Sequence, residues 1–366
     1  MKITAAVLHE PRGAFKVEDV ELDAPRPHEV LVKIVATGIC HTDLAVRDQH
    51  LPLGLPAVLG HEGSGIVEAV GSSVTRVKPG DHVVLTPASC GECDFCVSGH
   101  PSYCEKFSVL NMQGHREDGS CAHHQHGQDL QGLFLYQSSF GSYAIATERN
   151  TIKVPTDIPL EILGPLGCGL QTGAGSVLNV LRPQAGESIA VYGTGPVGLA
   201  GIMAAKVAGC SVIVAVDIND QRLELARELG ATHTVNSRNQ SSADYIREHI
   251  MPAGLHYTFS TVGRNEVVAE AFKAMRYMGR CVEVGVGTSA NLEIPHSLFR
   301  MGKSITYAIE GDSVPEVFIP RLIQLYRKGR FPFDKLIKFY DLDQINQAVE
   351  DSEKGVTLKA ILRMPH

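Results

Sequence analysis

Residues 1 to about 90 alternate apolar and polar positions with a period of two, interrupted by Gly and Pro. Segments 30–36, 64–70 and 82–85 read as strands, and Pro79-Gly80-Asp81 is the turn ahead of the last of these. Residues 1–7 also read as a strand. They are too short and too soon polar for a signal peptide. Several short strands with no helix between them predict a compact β-rich domain. Residues 111–137 are polar and carry His115, His123, His124 and His126. With no carboxylate or Cys spacing to complete a ligand set, this stretch reads as a solvated surface loop rather than a second metal site.

The period changes after about residue 160. A β run at 187–192 leads into helical spacing at 199–208, then a second β run at 211–216. Helix 221–229 stops at Gly230, strand 233–235 follows, and helix 243–250 ends before Pro252. Strand 257–259, helix 266–278 and strands 280–285 and 304–309 continue the series. Strands separated by helices predict an α/β fold with a doubly wound parallel sheet. The tail holds an amphipathic helix at 319–328 closed by Gly329, a helix at 343–354 capped by Asp343, and a strand at 357–363. The parallel sheet is complete by 311, so the tail is expected to rejoin the first domain. The boundaries are 1–169 with 312–366 for the β-rich domain, and 170–311 for the parallel one.

With 366 residues the chain can hold two cores. A net charge of -7 argues against a nucleic-acid partner, because phosphate binding wants a basic surface. No apolar run reaches the roughly 18 residues of a membrane helix, and a cytoplasmic location is expected. There, nine cysteines point to metal ligation or reactivity rather than disulfides. Cys121, Cys210 and Cys281 have no assigned role.

Four of the others, Cys90, Cys93, Cys96 and Cys104, lie within fifteen residues. Four thiolates suit a closed tetrahedral zinc site of structural type. An iron–sulfur cluster is the competing reading, but the seven residues before Cys104 and the Glu105 after it depart from the bacterial cluster pattern. Cys40, His61 and Cys168 offer two thiolates and one imidazole, which leave a fourth position open, the pattern of a catalytic zinc. Glu62 sets a carboxylate beside them. Gly193-Thr-Gly195-Pro-Val-Gly198 lies between a strand and a helix, with Asp217 ending the next strand. That is the context of a dinucleotide loop: Gly193 permits the turn, Gly195 admits a pyrophosphate, Gly198 packs helix on strand, and the helix N-terminus offers free N–H groups. A carboxylate at 217 accepts bonds from a free ribose diol and repels a 2′-phosphate, so NAD is favoured over NADP. Arg222 lies one turn into the next helix, and Asp217 could equally cap that helix.

On these motifs the chain resembles the zinc-dependent medium-chain alcohol dehydrogenases over essentially its whole length. It is most similar to the benzyl (aryl) alcohol dehydrogenases in residues 40–44, 164–175 and 331–340. The resemblance implies a GroES-like catalytic domain plus a Rossmann domain, two zinc ions, NAD, and reversible oxidation of an aromatic or allylic primary alcohol to its aldehyde. Geraniol and cinnamyl alcohols are the alternative substrates. It also implies a homo-oligomer, tetramer over dimer. Thr42 would take the alcohol proton, Asp43 would orient a zinc ligand, and Glu62 would be the carboxylate that transiently ligates the metal. Thr172, Val197, Val284 and Arg363 match positions that touch nicotinamide or pyrophosphate. Many relatives place a His three residues after the hydroxyl residue; Ala45 stands there. His41 is the alternative relay, though its position implies a place near the cofactor pyrophosphate. A non-catalytic zinc-containing binding protein would have no use for the open site.

Overall fold

The computed structural model describes residues 1–287 and 291–365. The chain divides into two compact units: Met1–Cys168 with Val314–Leu322 and the segment from Asp334, and Gly169–Ser313 with Ile323–Phe333.

The first unit is built around strand Glu29–Gly38. Its alternating residues Val30, Val32 and Ile34 are fully buried. It pairs antiparallel with Glu62–Val70, with Tyr143–Thr147 and with Lys359–Arg363. The register sets Gly38 opposite both Glu62 and Ile361. Positions just beyond the end of the central strand are thereby brought beside the start of Glu62–Val70. A second sheet is ordered Ala57–Val58, Lys2–Leu8, Lys16–Leu22, His123–Gln125, Gln128–Leu130.

Three expectations need correction here. The strands are not free of helix: His41–Arg47 is helical, because Asp43 reaches back to the Cys40 amide and closes a capping box at Cys40. Residues 111–137 are not a solvated loop. His123 pairs with Leu22 and is fully buried, and Leu133, Phe134 and Tyr136 join the core. The C-terminal helix is Ile345–Glu353, and the capping box ahead of it is made by Asp341 and Gln344 rather than by Asp343.

The second unit is a six-stranded sheet ordered His233–Asn236, Val212–Asp217, Ser188–Tyr192, Leu255–Ser260, Met275–Glu283, Ser304–Tyr307. Every neighbouring pair is parallel. Chain order reverses between Ser188–Tyr192 and Leu255–Ser260, and ligands bind at the carboxyl ends of strands at such a switch point. The helix expected over 266–278 is Asn265–Ala274; the chain then enters the sheet at Met275, which pairs with Leu255. Sheet pairing here overrides an apolar pattern that also suits a helix. No helix among the described residues is long and apolar enough to cross a membrane.

Candidate active site

Cys40, His61, Glu62 and Cys168 come together in the first unit, with one ligand atom from each within 4.8 Å of the others. Cys40 follows the central strand and precedes the helix His41–Arg47, and His61 immediately precedes strand Glu62–Val70. Cys168 ends the turn Gly164–Gly167, which Thr86 Oγ1 anchors by donating to the Gly167 carbonyl at 2.8 Å. Gly164 and Gly167 lie so close to the Glu62 and Leu85 carbonyls that an added Cβ would fall 2.1 and 1.9 Å from them.

Asp43 organises the centre. One carboxylate oxygen accepts the Cys40 amide at 2.9 Å, and the other accepts the Gly60 amide at 3.1 Å and His61 Nδ1 at 2.8 Å. That bond fixes the proton of His61 on Nδ1 and aims the Nε2 lone pair inward. Nε2 is buried and has no hydrogen-bond partner. Phe134 meets the ring edge-on at 5.4 Å, and Gln137 accepts the Gly63 amide and donates to the His61 carbonyl. The Cys40 thiol is held well below its ordinary value: its bond to Cys168, then the charges of His61 and Lys359, outweigh burial. A partly buried thiolate, a buried second sulfur and a buried, orphaned imidazole nitrogen fit a metal ion of the zinc class.

Glu62 is also fully buried, and Lys359 Nζ donates to its two oxygens at 2.9 and 2.8 Å and to the Ile39 carbonyl at 3.2 Å. Burial drives the Glu62 carboxyl up to about 7 against the pull of Lys359. Burial works against the Lys359 ammonium, but Glu62 prevails and holds it above its ordinary value. With both oxygens bonded to the ammonium, the pair is ionic. Thr42 Oγ1 stands 3.7 Å from Cys40 Sγ, His41 is exposed at the first helical position, and Ala45 is buried.

Cys90, Cys93, Cys96 and Cys104 form a second cluster, also with ligand atoms within 4.8 Å. The Cys90 amide donates to Cys104 Sγ at 3.2 Å and the Cys93 amide to Cys90 Sγ at 3.4 Å. None of the nine cysteines is in a disulfide.

In the second unit Gly193 turns with a φ of +89°, and a Cβ on Gly198 would fall 1.9 Å from the Gly193 carbonyl. A Cβ on Gly195 would meet nothing within 4 Å, so its backbone is open to a ligand. Val197 is the second residue of helix Pro196–Ala208. Asp217 is not the cap of the next helix; Asn219 is, accepting the Gln221 and Arg222 amides. One Asp217 oxygen takes the amide and hydroxyl of Thr194, each at 2.7 Å, and the other takes the Ile218 and Asn219 amides. A cavity of about 740 Å³ opens beside it, lined by Gly193, Gly195, Asp217, Arg222, Arg238 and Arg264.

Thr172 Oγ1 lies 3.5 Å from a carboxylate oxygen of Glu310 in the same unit. The Val284 amide donates to the Ser260 carbonyl. Arg363 belongs to the first unit, where it pairs with Glu161 at 3.2 Å and covers the Phe339 ring at 4.0 Å. Sequence reasoning missed Lys359, Gln137 and Thr194. The one available signal was a lysine set in a run of strand-forming residues at 358–362.

The sequence profile of the alcohol dehydrogenase GroES-like domain matches residues 26–156, and that of the zinc-binding dehydrogenases matches residues 196–327. The chain is similar to an alcohol dehydrogenase zinc-binding domain protein from Burkholderia ambifaria, at 50% identity over 100% of both chains and a TM-score of 0.97. It is similar to the benzyl alcohol dehydrogenase of Acinetobacter calcoaceticus, at 45% identity over 100% of both and a TM-score of 0.95. It is also 42% identical to the geraniol dehydrogenase of Castellaniella defragrans, over 98% of this chain and 96% of that one.

Proposed function

From the premise that this chain belongs to the zinc-containing medium-chain alcohol dehydrogenases, we propose that it oxidises an aromatic or allylic primary alcohol to its aldehyde, reversibly, with NAD. The observation that carries the reading is the buried, unpartnered Nε2 of His61 between two cysteine sulfurs. Cys40, His61 and Cys168 would hold the catalytic zinc, and Cys90, Cys93, Cys96 and Cys104 a structural one. When bound, zinc would supply a Lewis acid for the alcohol oxygen and NAD a hydride acceptor.

The protein groups do the rest. Asp43 keeps His61 in the ligating tautomer. Thr42, close to Cys40 Sγ, accepts the alcohol proton. With Ala45 offering no further relay, the proton leaves through solvent or His41, and the exposure of His41 suits a place against the cofactor pyrophosphate. Gly193, Gly195, Val197 and Gly198 receive the pyrophosphate, Asp217 and Arg222 the adenosine ribose, and Thr172 and Val284 the nicotinamide. The Glu161 pair and the Phe339 ring already engage Arg363, which makes it the weakest of the proposed cofactor contacts.

The aromatic or allylic preference rests on full-length similarity to a benzyl alcohol and a geraniol dehydrogenase. Both substrates carry a primary alcohol beside an sp² carbon. The test is NADH formation from benzyl alcohol, geraniol, cinnamyl alcohol and ethanol at matched concentrations. Higher kcat/KM for the first three is expected. Ethanol as the best substrate would sink the substrate assignment, and activity with NADP alone would sink the cofactor assignment.

A further inference from the structure

Glu283 is the one acidic residue in strand Met275–Glu283, and it is 4% exposed. It sits opposite Ser260 in the parallel register, at the carboxyl ends of two adjacent strands. Its Oε1 accepts the Gly285 amide at 2.6 Å. Burial, the largest influence, raises its carboxyl above the ordinary range, while Ser260 and the amides of Gly285, Gly263 and Val284 pull it down.

Oε2 is buried without a hydrogen-bond partner. The Gly285 amide belongs to the turn after this strand, and that turn touches the one after strand Leu255–Ser260 through its backbone. A Cβ on Gly285 would fall 2.2 Å from the Gly263 nitrogen and 2.6 Å from Glu283 Oε1, and one on Gly287 would fall 2.4 Å from the Gly263 carbonyl. On the other side of the same segment, the Tyr307 hydroxyl donates to the Gly285 carbonyl at 3.2 Å. Thr261, Val262 and Arg264, in and next to the turn after Leu255–Ser260, line the dinucleotide cavity. A buried carboxyl is costly unless its bonds are met, so its placement in an otherwise apolar strand end asks for a purpose.

We infer that Glu283 is a positioning residue for the cofactor: its carboxyl holds the Gly285 amide while the Tyr307 hydroxyl holds the Gly285 carbonyl, and together they set how the Val284–Gly285 backbone, packed against the Thr261–Gly263 turn, is presented to the nicotinamide end of NAD. The inference rests on the proposal that this unit binds NAD with Val284 at the nicotinamide. The carboxyl acts through backbone amides and touches neither substrate nor reacting atoms.

The test compares NADH with ADP-ribose, which lacks the nicotinamide, by equilibrium binding to the zinc-loaded enzyme. Glu283→Leu removes the acceptor and is expected to weaken NADH about tenfold and leave ADP-ribose within about twofold. Glu283→Gln keeps an acceptor oxygen and is expected to stay within about threefold of the parent for both ligands. Tyr307→Phe, at a half-exposed position that tolerates the change, is expected to weaken NADH by about two- to threefold, again without affecting ADP-ribose. Unchanged NADH binding in the leucine variant overturns the inference. So does an equal loss of NADH and ADP-ribose, which marks a general packing role, or a glutamine variant as weak as the leucine one. If the leucine variant does not fold, Tyr307→Phe with unaltered NADH affinity overturns it. Failure of the parent protein to bind NADH refutes the NAD reading itself and is separate from these outcomes.

Discussion

Lys359 donates to both carboxylate oxygens of Glu62, at 2.9 and 2.8 Å, in a pocket where neither side chain is more than 4% exposed. The pocket exists because residue 38 is glycine: a Cβ there would fall 2.0 Å from Glu62 Oε2. Removing one partner of a buried pair leaves an uncompensated charge. Lys359→Met is therefore expected to lower unfolding stability by about 3–5 kcal/mol. Adding Glu62→Gln should restore part of that loss. Urea unfolding of both variants checks this; equal stability of Lys359→Met and parent would mean that Glu62 needs no compensating charge in the folded state.

Asp43 is the second organising contact. Asp43→Asn can no longer accept from His61 Nδ1, Cys40 and Gly60 together as an anion. Metal affinity or activity is expected to fall about 10–100-fold. Zinc content after dialysis, read beside kcat, separates loss of metal from loss of rate.

The four-cysteine cluster should behave as a closed structural site. Cys104→Ser is expected to reduce zinc from two to one per chain and to lower the melting temperature. Elemental analysis with calorimetry reads both; two retained zinc ions in the variant would contradict the assignment.

Asp217 bonds to Thr194 and two backbone amides, and it lines the dinucleotide cavity. Asp217→Ser is expected to lower kcat/KM for NAD by roughly tenfold through a lost ribose bond. It should raise kcat/KM for NADP, because Arg222 and Arg238 line the same cavity. An unaltered ratio of the two cofactors would contradict the role.

His123 supplies an acid limit. Burial, the largest cause, lowers its imidazole to about 4, helped by His124 and Arg116. Unfolded, it titrates near 6.5. The folded state thus disfavours the proton, so the contribution is complete above about pH 6.5 and disappears as pH falls toward 4. The loss is about 3 kcal/mol. Unfolding free energy measured across that window should show this slope, and His123→Phe should flatten it.

The glycine turn between strand Ser188–Tyr192 and helix Pro196–Ala208 was legible in the sequence because its geometry is local. Gly193 to Gly198, the flanking β and helical periods and Asp217 all fall within one βαβ unit, where spacing constrains geometry. The cysteine cluster was legible for the same reason. The His123 stretch was misread because polarity says nothing about burial once a residue pairs with an apolar one, here Leu22. Helix 266–278 overran because Met275 and Met278 extend an apolar pattern that only the pairing with Leu255 resolves.

The sequence by itself determined the alternation of strand and helix, the four-cysteine cluster and the glycine-rich turn between strand and helix, since each depends on neighbours within a few tens of residues. Only the tertiary structure decided that Lys359, 297 residues from Glu62, neutralises it, that His61 is the residue Asp43 holds, and that Glu283 braces the turn after its own strand. A buried charge is settled by which partner the strand register delivers, and register between distant strands is a property of the folded sheet rather than of any local stretch.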